Sequence, residues 1–124
     1  MPNSRVFSQW VPPPIGCFKI NVDDAVSESI YGLSCVIRDQ RGEVLGAASK
    51  SVHVVGSTDM LEALAVEFGV MQALQFGCYR VFVETDCSKV ASHLNDLSLD
   101  YSPFHIVIKN ILWFCNRFHS ISFS

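Results

Sequence analysis

The sequence has no excess of basic residues and no long apolar run, and these absences narrow the classes of protein to which it can belong. Nine Lys and Arg residues against twelve Asp and Glu residues give a formal charge of -3. A protein that holds nucleic acid by charge alone carries a basic balance, so any polyanion here must be met by local basic groups and by metal. No apolar run approaches the roughly 18 residues of a membrane helix, and the N-terminus lacks the apolar core of a secretory signal. The sequence therefore predicts a protein that is neither inserted in a membrane nor secreted.

The cysteines lack the pairing typical of a disulfide framework or a zinc site. They are odd in number, show no CxxC spacing and lie mostly within apolar runs: Cys17, Cys35, Cys78, Cys87 and Cys115. This arrangement favours reduced, buried thiols. It predicts an intracellular protein in a reducing compartment, the nucleus or the cytoplasm.

The length predicts one domain with a short N-terminal segment before it. At 124 residues, of which 49% are apolar, the chain can bury one core and has no room for a second. Residues 1–15 end close to three consecutive prolines, which favour extended backbone. We predict that residues 1–15 form a linker or lead-in and that residues 16–124 form the domain. Trp10 either packs on the core or belongs to a proline-rich ligand for another domain.

Hydrophobic periodicity predicts five strands and three helices. Alternating apolar positions indicate strands at residues 16–24, 30–38, 44–50, 80–86 and 118–123, the second and third forming a hairpin. Helices are predicted from Ser57 or Thr58 to Gly77 and over residues 88–94 and 103–116. The apolar stripe of the long helix is expected at Leu61, Leu64, Ala65, Phe68, Met71 and Leu74. This order predicts an α/β or α+β sheet with helices packed on it.

Three acidic residues lie where such a fold would bring carboxylates together. Asp23 closes the first predicted strand, Glu62 lies in the first turns of the long helix, and Asp86 closes the fourth strand. Carboxylates gathered in this way repel one another and lose hydration unless a cation binds between them. The sequence therefore predicts a magnesium site formed by these three residues.

Four motifs occur in one order along nearly the whole chain. They are Trp10 to Asp23, then Gly32-Leu33 with Val36 to Asp39 and Gly42, then Glu62 to Ala65, and finally Glu84 to Cys87. Together they resemble the plant ribonuclease H-like domains related to the nuclease module of retrotransposon reverse transcriptases. The resemblance implies an α/β, ribonuclease H-like fold with a five-stranded mixed sheet. Strands one to three would be antiparallel, strands four and five would run parallel to strand one, and helices would cover both faces.

The same resemblance implies a function and a set of site residues. It predicts a magnesium-dependent endoribonuclease, with manganese as a possible substitute, that hydrolyses the RNA strand of RNA/DNA hybrids. Asp23, Glu62 and Asp86 match three of the family's four metal-binding acids, which makes them the predicted catalytic residues and metal ligands. Two such hard cations, roughly 4 Å apart, orient an attacking water and neutralise the leaving 3′ oxygen.

The chain departs from the family's pattern in two places. Where the family has glycine after the first aspartate, this chain has Asp24. Its side chain is expected to be a bystander on the opposite face if the strand persists, or to add charge to the site if the backbone turns. The family's pattern also continues after strand five into a loop histidine and a final helix that carries the fourth acid.

Because the sequence stops at Ser124, the resemblance predicts a C-terminally truncated domain whose final helix is missing and whose activity is weakened. The same truncation predicts self-association through apolar surface left open around Ile111, Trp113, Phe114, Phe118 and Ile121. The alternative interpretation is a catalytically inactive ribonuclease H-like module that binds nucleic acid or another partner.

Overall fold

In the residues that the structure describes, the protein forms a five-stranded mixed sheet and three helices, in the element order predicted from the sequence. The computed structural model describes residues 10–53, 57–86, 88–95 and 103–124. The strands are β1 (Phe18–Ser27), β2 (Ile30–Arg38), β3 (Val44–Val52), β4 (Arg80–Glu84) and β5 (Ser120–Phe123), and the helices are α1 (Thr58–Gln75), α2 (Ser88–Asn95) and α3 (Pro103–Cys115). None of the helices in these described ranges is both long and apolar enough to cross a membrane.

The five strands lie in the order β3-β2-β1-β4-β5. β1, β2 and β3 are antiparallel neighbours, whereas β4 is parallel to β1 and β5 is parallel to β4. The predicted topology is therefore confirmed, although the bounds of every strand except β2 differ by a few residues from those predicted. β1 runs on to Ser27 because its pairing with β2 continues to the tight turn, and β4 ends at Glu84 because its pairing with β1 stops there.

The hydrophobic core lies on one face of the sheet. Strand register places alternate residues of β1, β2 and β4 on this face, and all are buried: Ile20, Val22, Leu33, Cys35, Ile37, Val81 and Val83. All three helices contribute to the same cluster, α1 through Val66 and Val70, α2 through Val90 and α3 through Ile111. The helices of the described ranges thus share this one face of the sheet, which corrects the expectation that helices would cover both faces.

The second face carries a buried charge. Lys19, only 6% exposed, lies on it, and its Nζ forms a 3.0 Å ion pair with Glu84 and donates a hydrogen bond to the backbone oxygen of Val11. The same ammonium group lies 5.4 Å from the centre of the Trp10 ring. Trp10 is therefore half-buried against this face, while the domain boundary at residue 15 stays a prediction.

The predicted apolar stripe of α1 is partly wrong. The buried residues are Leu61, Ala63, Ala65, Val66, Gly69, Val70 and Ala73, whereas Met71 is 40% exposed. Small residues explain the difference, because they let the helix axis approach the sheet. A Cβ atom at Gly69 would come within 2.4 Å of Cγ1 of Val22. The helix therefore buries Ala and Gly where the prediction favoured the larger Leu, Phe and Met side chains.

The apolar surface expected to be open near α3 is only partly open. Ile111 is fully buried, which corrects that part of the prediction, because α1 packs along this side of α3. Trp113 is 58% exposed, and Phe114, Phe118 and Ile121 are half-buried. The open part of this surface is therefore centred on Trp113.

A half-buried carboxyl group between α1 and α3 should make stability depend on pH. Burial raises the pKa of Glu67 above its ordinary value of 4.5, against the opposing effects of a hydrogen bond to Asn110 and the charge of Lys50. The folded state then holds the proton more tightly than the unfolded state, so stability falls as pH rises through the interval between those two pKa values. We expect Glu67→Gln to remove this loss. Melting temperatures of both proteins between about pH 4 and 7 measure this pH dependence of stability. A difference in melting temperature between the two proteins that stays constant across that range would contradict the expectation.

Candidate active site

Two of the predicted acids lie at the same end of the sheet. Asn21 of β1 pairs in parallel with Glu84 of β4. Asp23 and Asp86 each follow this pair by two residues, so the register carries both chains toward the same edge. Both side chains are exposed, Asp23 within β1 and Asp86 just beyond the end of β4. This edge is the candidate active site.

The third acid comes to the site on the first turns of α1. Ser57 caps the helix, its hydroxyl oxygen accepting a hydrogen bond from the backbone N–H of Met60 at 3.2 Å. This cap fixes where the helix begins, and Glu62 follows within the second turn, half-buried. Because α1 packs on the core face of β1 and β2, Glu62 approaches the site from that face.

Asp23 and Asp24 point to opposite faces of β1. Alternation along the strand places Asp24 with Ile20 and Val22 on the core face, and Asp23 on the other. One carboxylate oxygen of Asp23 accepts a hydrogen bond from the backbone N–H of Asp24 at 2.9 Å. The carboxylates of Asp23 and Asp24 therefore lie on opposite faces of β1, Asp24 on the core face and Asp23 on the second face.

Asp24 is electrostatically coupled to all three predicted acids. Partial burial raises the pKa of its carboxyl group, and the negative charges of Glu62, Asp23 and Asp86 raise it further. The expectation that Asp24 would be a bystander if the strand persisted is therefore wrong. The strand does persist, but it turns Asp24 toward the face from which α1 brings Glu62. The alternation Ile20, Val22, Asp24 indicated that Asp24 lies on the apolar face of β1, but not that α1 brings Glu62 to the same face.

The donor atoms suit magnesium, but their arrangement is not that of a formed metal site. Carboxylate oxygens are the ligands this cation prefers, and the mutual repulsion at Asp24 is what a cation would relieve. Within the described ranges, no three Asp, Glu, His or Cys side chains stand where they could jointly hold a metal ion. The predicted convergence of Asp23, Glu62 and Asp86 on metal therefore stays a prediction.

A polar network that was not predicted from the sequence lies beside the acids. Glu84 accepts a hydrogen bond from the side-chain amide of Asn21 at 2.8 Å and pairs with Lys19 at 3.0 Å. A lysine and an asparagine at alternate positions of an otherwise apolar strand were the available signal. Because Lys19 offsets its charge, Glu84 does not act as a further unpaired carboxylate at this edge.

Two surface pockets, each with polar side chains in its lining, adjoin the acids. One, of about 290 Å³, is lined by Asp23 and Asp24 together with serines of β2 and β3 and with Lys50. The other, of about 260 Å³, is lined by Asn21, Glu84, Thr85, Asp86 and Ser124 among others. Both are open to solvent and have charged and polar side chains in their lining, so this edge does not resemble an enclosed apolar pocket.

Replacing Asp24 should stabilise the metal-free protein. Asp24→Asn removes the negative charge of a partly buried carboxylate and its repulsion by Glu62, Asp23 and Asp86, while it keeps the shape of the side chain. We expect the melting temperature in a chelator to rise by a few degrees. Glu43→Gln, at an exposed carboxyl in the turn before β3, is the matched control and should change little. Equal shifts in the melting temperatures of the two variants would contradict the repulsion between Asp24 and the three neighbouring acids.

The architecture defines a ribonuclease H-like fold, and comparisons with solved structures agree. An RNase H1 from the halophilic archaeon Halobacterium salinarum matches with a TM-score of 0.77 and 13% identity, over 86% of this chain and 83% of that one. LC11-RNase H1, in complex with an RNA/DNA hybrid, matches with a TM-score of 0.75 and 16% identity over 86% and 83%. The RNase H domain of prototype foamy virus matches with a TM-score of 0.63 and 20% identity over 96% and 80%.

The sequence itself assigns the family. Residues 21–124 match the family described as Reverse transcriptase-like, and the chain belongs to it. No curated protein matches the sequence. The matched range contains Glu62, Asp86 and both consecutive aspartates of β1.

Proposed function

We propose that this protein is a magnesium-dependent endoribonuclease that hydrolyses the RNA strand of RNA/DNA hybrids. One observation carries the proposal: strand register brings Asp23 and Asp86 to one edge of a ribonuclease H-like sheet, and α1, packed on β1 and β2, brings Glu62 toward the same edge. The fold supports this assignment, since LC11-RNase H1 shares it and its structure contains an RNA/DNA hybrid.

The residues of the chain have separate parts in the proposed reaction. Asp23, Glu62 and Asp86 would hold magnesium or manganese through their carboxylate oxygens, and Asp24 would raise the negative potential that attracts the cation. When bound, two such ions supply Lewis acidity to the attacking water and to the leaving 3′ oxygen. Lys50, which lines the pocket beside Asp23, is placed to meet a phosphate of the substrate backbone.

A cleavage assay tests the proposal directly. A labelled RNA/DNA hybrid is incubated with the protein in magnesium, in manganese and in a chelator, beside single-stranded RNA and duplex DNA as controls. We expect metal-dependent cleavage confined to the RNA of the hybrid. Hybrid that binds but stays intact in both metals would exclude the nuclease function.

A catalytically inactive binding module is the second candidate, and a specific observation favours it. Asp24 stands where the family pattern has glycine, and the carboxylates of the described residues do not form a metal site as they stand. Tight hybrid binding without cleavage in the same assay would identify this alternative. If Asp24→Gly then restored cleavage, the extra carboxylate would be the cause of inactivity.

We also propose an intracellular, reducing location. The described cysteines Cys17, Cys35, Cys78 and Cys115 are free thiols. Burial raises the pKa of Cys78 and of Cys115 to about 11, which keeps both protonated and unreactive near neutral pH. Free, protonated thiols of this kind are typical of proteins in a reducing compartment.

A further inference from the structure

Acidic and basic side chains are segregated along this chain. Residues 68–83 and 101–124 contain no Asp or Glu, although the whole chain has a formal charge of -3. The same two segments carry Arg80, Lys109 and Arg117. They form the second half of α1, most of β4, α3 and β5. A locally basic region therefore exists on an acidic protein.

This basic region lies away from the acids. β4 begins at Arg80 and β5 at Ser120, and both run parallel to β1, so their first residues lie at the sheet end opposite Asp86. Six residues of extended strand separate Arg80 from Asp86, which corresponds to about 20 Å. The last turns of α1 and α3 meet nearby around a cavity of about 180 Å³ that Met71, Phe114 and Arg117 help to line. We call the surface formed by Tyr79, Trp113, Arg117 and His119 the basic end, beside which Arg80 follows directly after Tyr79 in the chain.

Aromatic rings and cationic groups alternate on the basic end. Trp113 is 58% and Tyr79 is 43% exposed. The guanidinium group of Arg117 lies 5.1 Å from the centre of the Trp113 ring, and the His119 ring meets Tyr79 edge-on with centroids 6.0 Å apart. The backbone N–H of His119 donates a hydrogen bond to the backbone carbonyl oxygen of Tyr79 at 2.7 Å. This bond joins the chain before β4 to the chain before β5. Within the described ranges, no carboxylate pairs with Arg80 or Arg117.

We propose that the basic end is a binding surface for single-stranded nucleic acid. Exposed ring faces accept unpaired bases, and arginines that lack a carboxylate partner bind the phosphates between them. A duplex hides its base faces and would leave the rings of Trp113 and Tyr79 without stacking partners. An acidic peptide would satisfy the arginines but offers no series of flat rings. The proposal does not rest on the nuclease function, because it requires neither the acids nor metal.

A binding assay without metal tests the proposal. The probe is a fluorescent oligothymidylate of about 15 nucleotides, titrated in chelator at about 50 mM salt, with anisotropy as the readout. We expect saturable binding that weakens as salt rises. Trp113→Ala should weaken it roughly tenfold, and Trp113→Phe should retain most of it because the ring is kept. Arg117→Glu should weaken it and reduce its salt dependence.

Matched variants separate this site from other surfaces. Arg41→Ala removes an exposed arginine from the β2–β3 turn and should bind as the unaltered protein does. Glu43→Gln, at an exposed carboxyl of the same turn, should also bind normally, and because the assay contains no metal, failure here is distinct from failure of the nuclease proposal. Thermal melting checks that each variant is folded.

Three outcomes would overturn the proposal. The first is no binding at roughly 100 μM protein, and the second is equal binding by folded Trp113→Ala and the unaltered protein. The third is preference for a polyglutamate peptide, or for a second copy of the chain in sedimentation, without oligonucleotide binding. That result would assign the basic end to a protein partner.

Discussion

Asp86→Asn should lower magnesium-dependent cleavage of an RNA/DNA hybrid by a large factor, on the order of a hundredfold or more. Asparagine keeps the shape of the side chain but removes the negative charge that a hard cation requires. The substitution also relieves repulsion at Asp24, so the fold should be kept or slightly stabilised. Initial cleavage rates at saturating magnesium, measured beside melting temperature, separate loss of chemistry from loss of structure.

Glu84→Gln is an informative companion to that variant. Glu84 lies two residues before Asp86 but is held by Asn21 and Lys19 on the second face of the sheet. Its replacement should leave the cleavage rate within a few-fold of the original while lowering stability, because Lys19 would lose its partner in a buried setting. If the two variants lost activity equally, the division of the carboxylates into site and structural groups would be wrong.

Gly69→Val should produce the largest loss of stability, about 3 kcal/mol. An added Cβ would already meet Val22 at 2.4 Å and Ile20 at 3.4 Å, and both of these side chains are fixed in the core. Valine adds two further carbons, so α1 must move away from β1. Because α1 carries Glu62, hybrid cleavage should fall with stability. Chemical denaturation measures the free energy of unfolding.

Gly46→Ala is the control for added volume at a glycine. A Cβ there would meet the ring of Phe76 at 2.5 Å, but this ring is 44% exposed and can turn into solvent. We expect a loss well below that of Gly69→Val. A smaller effect at Gly69 than at Gly46 would show that α1 can move away from β1 at little cost.

The sequence predicted the element order because periodicity and turn residues are local signals, whereas the topology of the mixed sheet was implied by the resemblance to ribonuclease H-like domains. The strand of residues 30–38 was predicted with its observed bounds, since an alternating apolar run and a four-residue turn define both of its ends. The buried face of α1 was not, because burial depends on how closely the helix approaches the sheet. That distance is set by Gly69 against Val22, a contact between residues far apart in the chain.

The site was predicted in part for the same reason. Motif positions identify Asp23, Glu62 and Asp86, and strand register carries Asp23 and Asp86 to one edge. The part played by Asp24 could not be predicted from β1 alone, since it depends on which face α1 covers. The ion pair between Lys19 and Glu84 likewise joins strands whose register is known only from the folded sheet.

The parallel pairing of β1 with β4 has a kinetic consequence. β1, β2 and β3 are joined by tight turns, whereas Asn21 pairs with Glu84, which lies 63 positions later in the chain. Long loops close slowly, so the three-stranded meander should form before β4 docks and before β5 completes the edge. Asp86 therefore joins the other acids late in folding. The same order in reverse makes local opening of the β4–β5 edge a low-energy fluctuation that separates the acids while the meander stays intact.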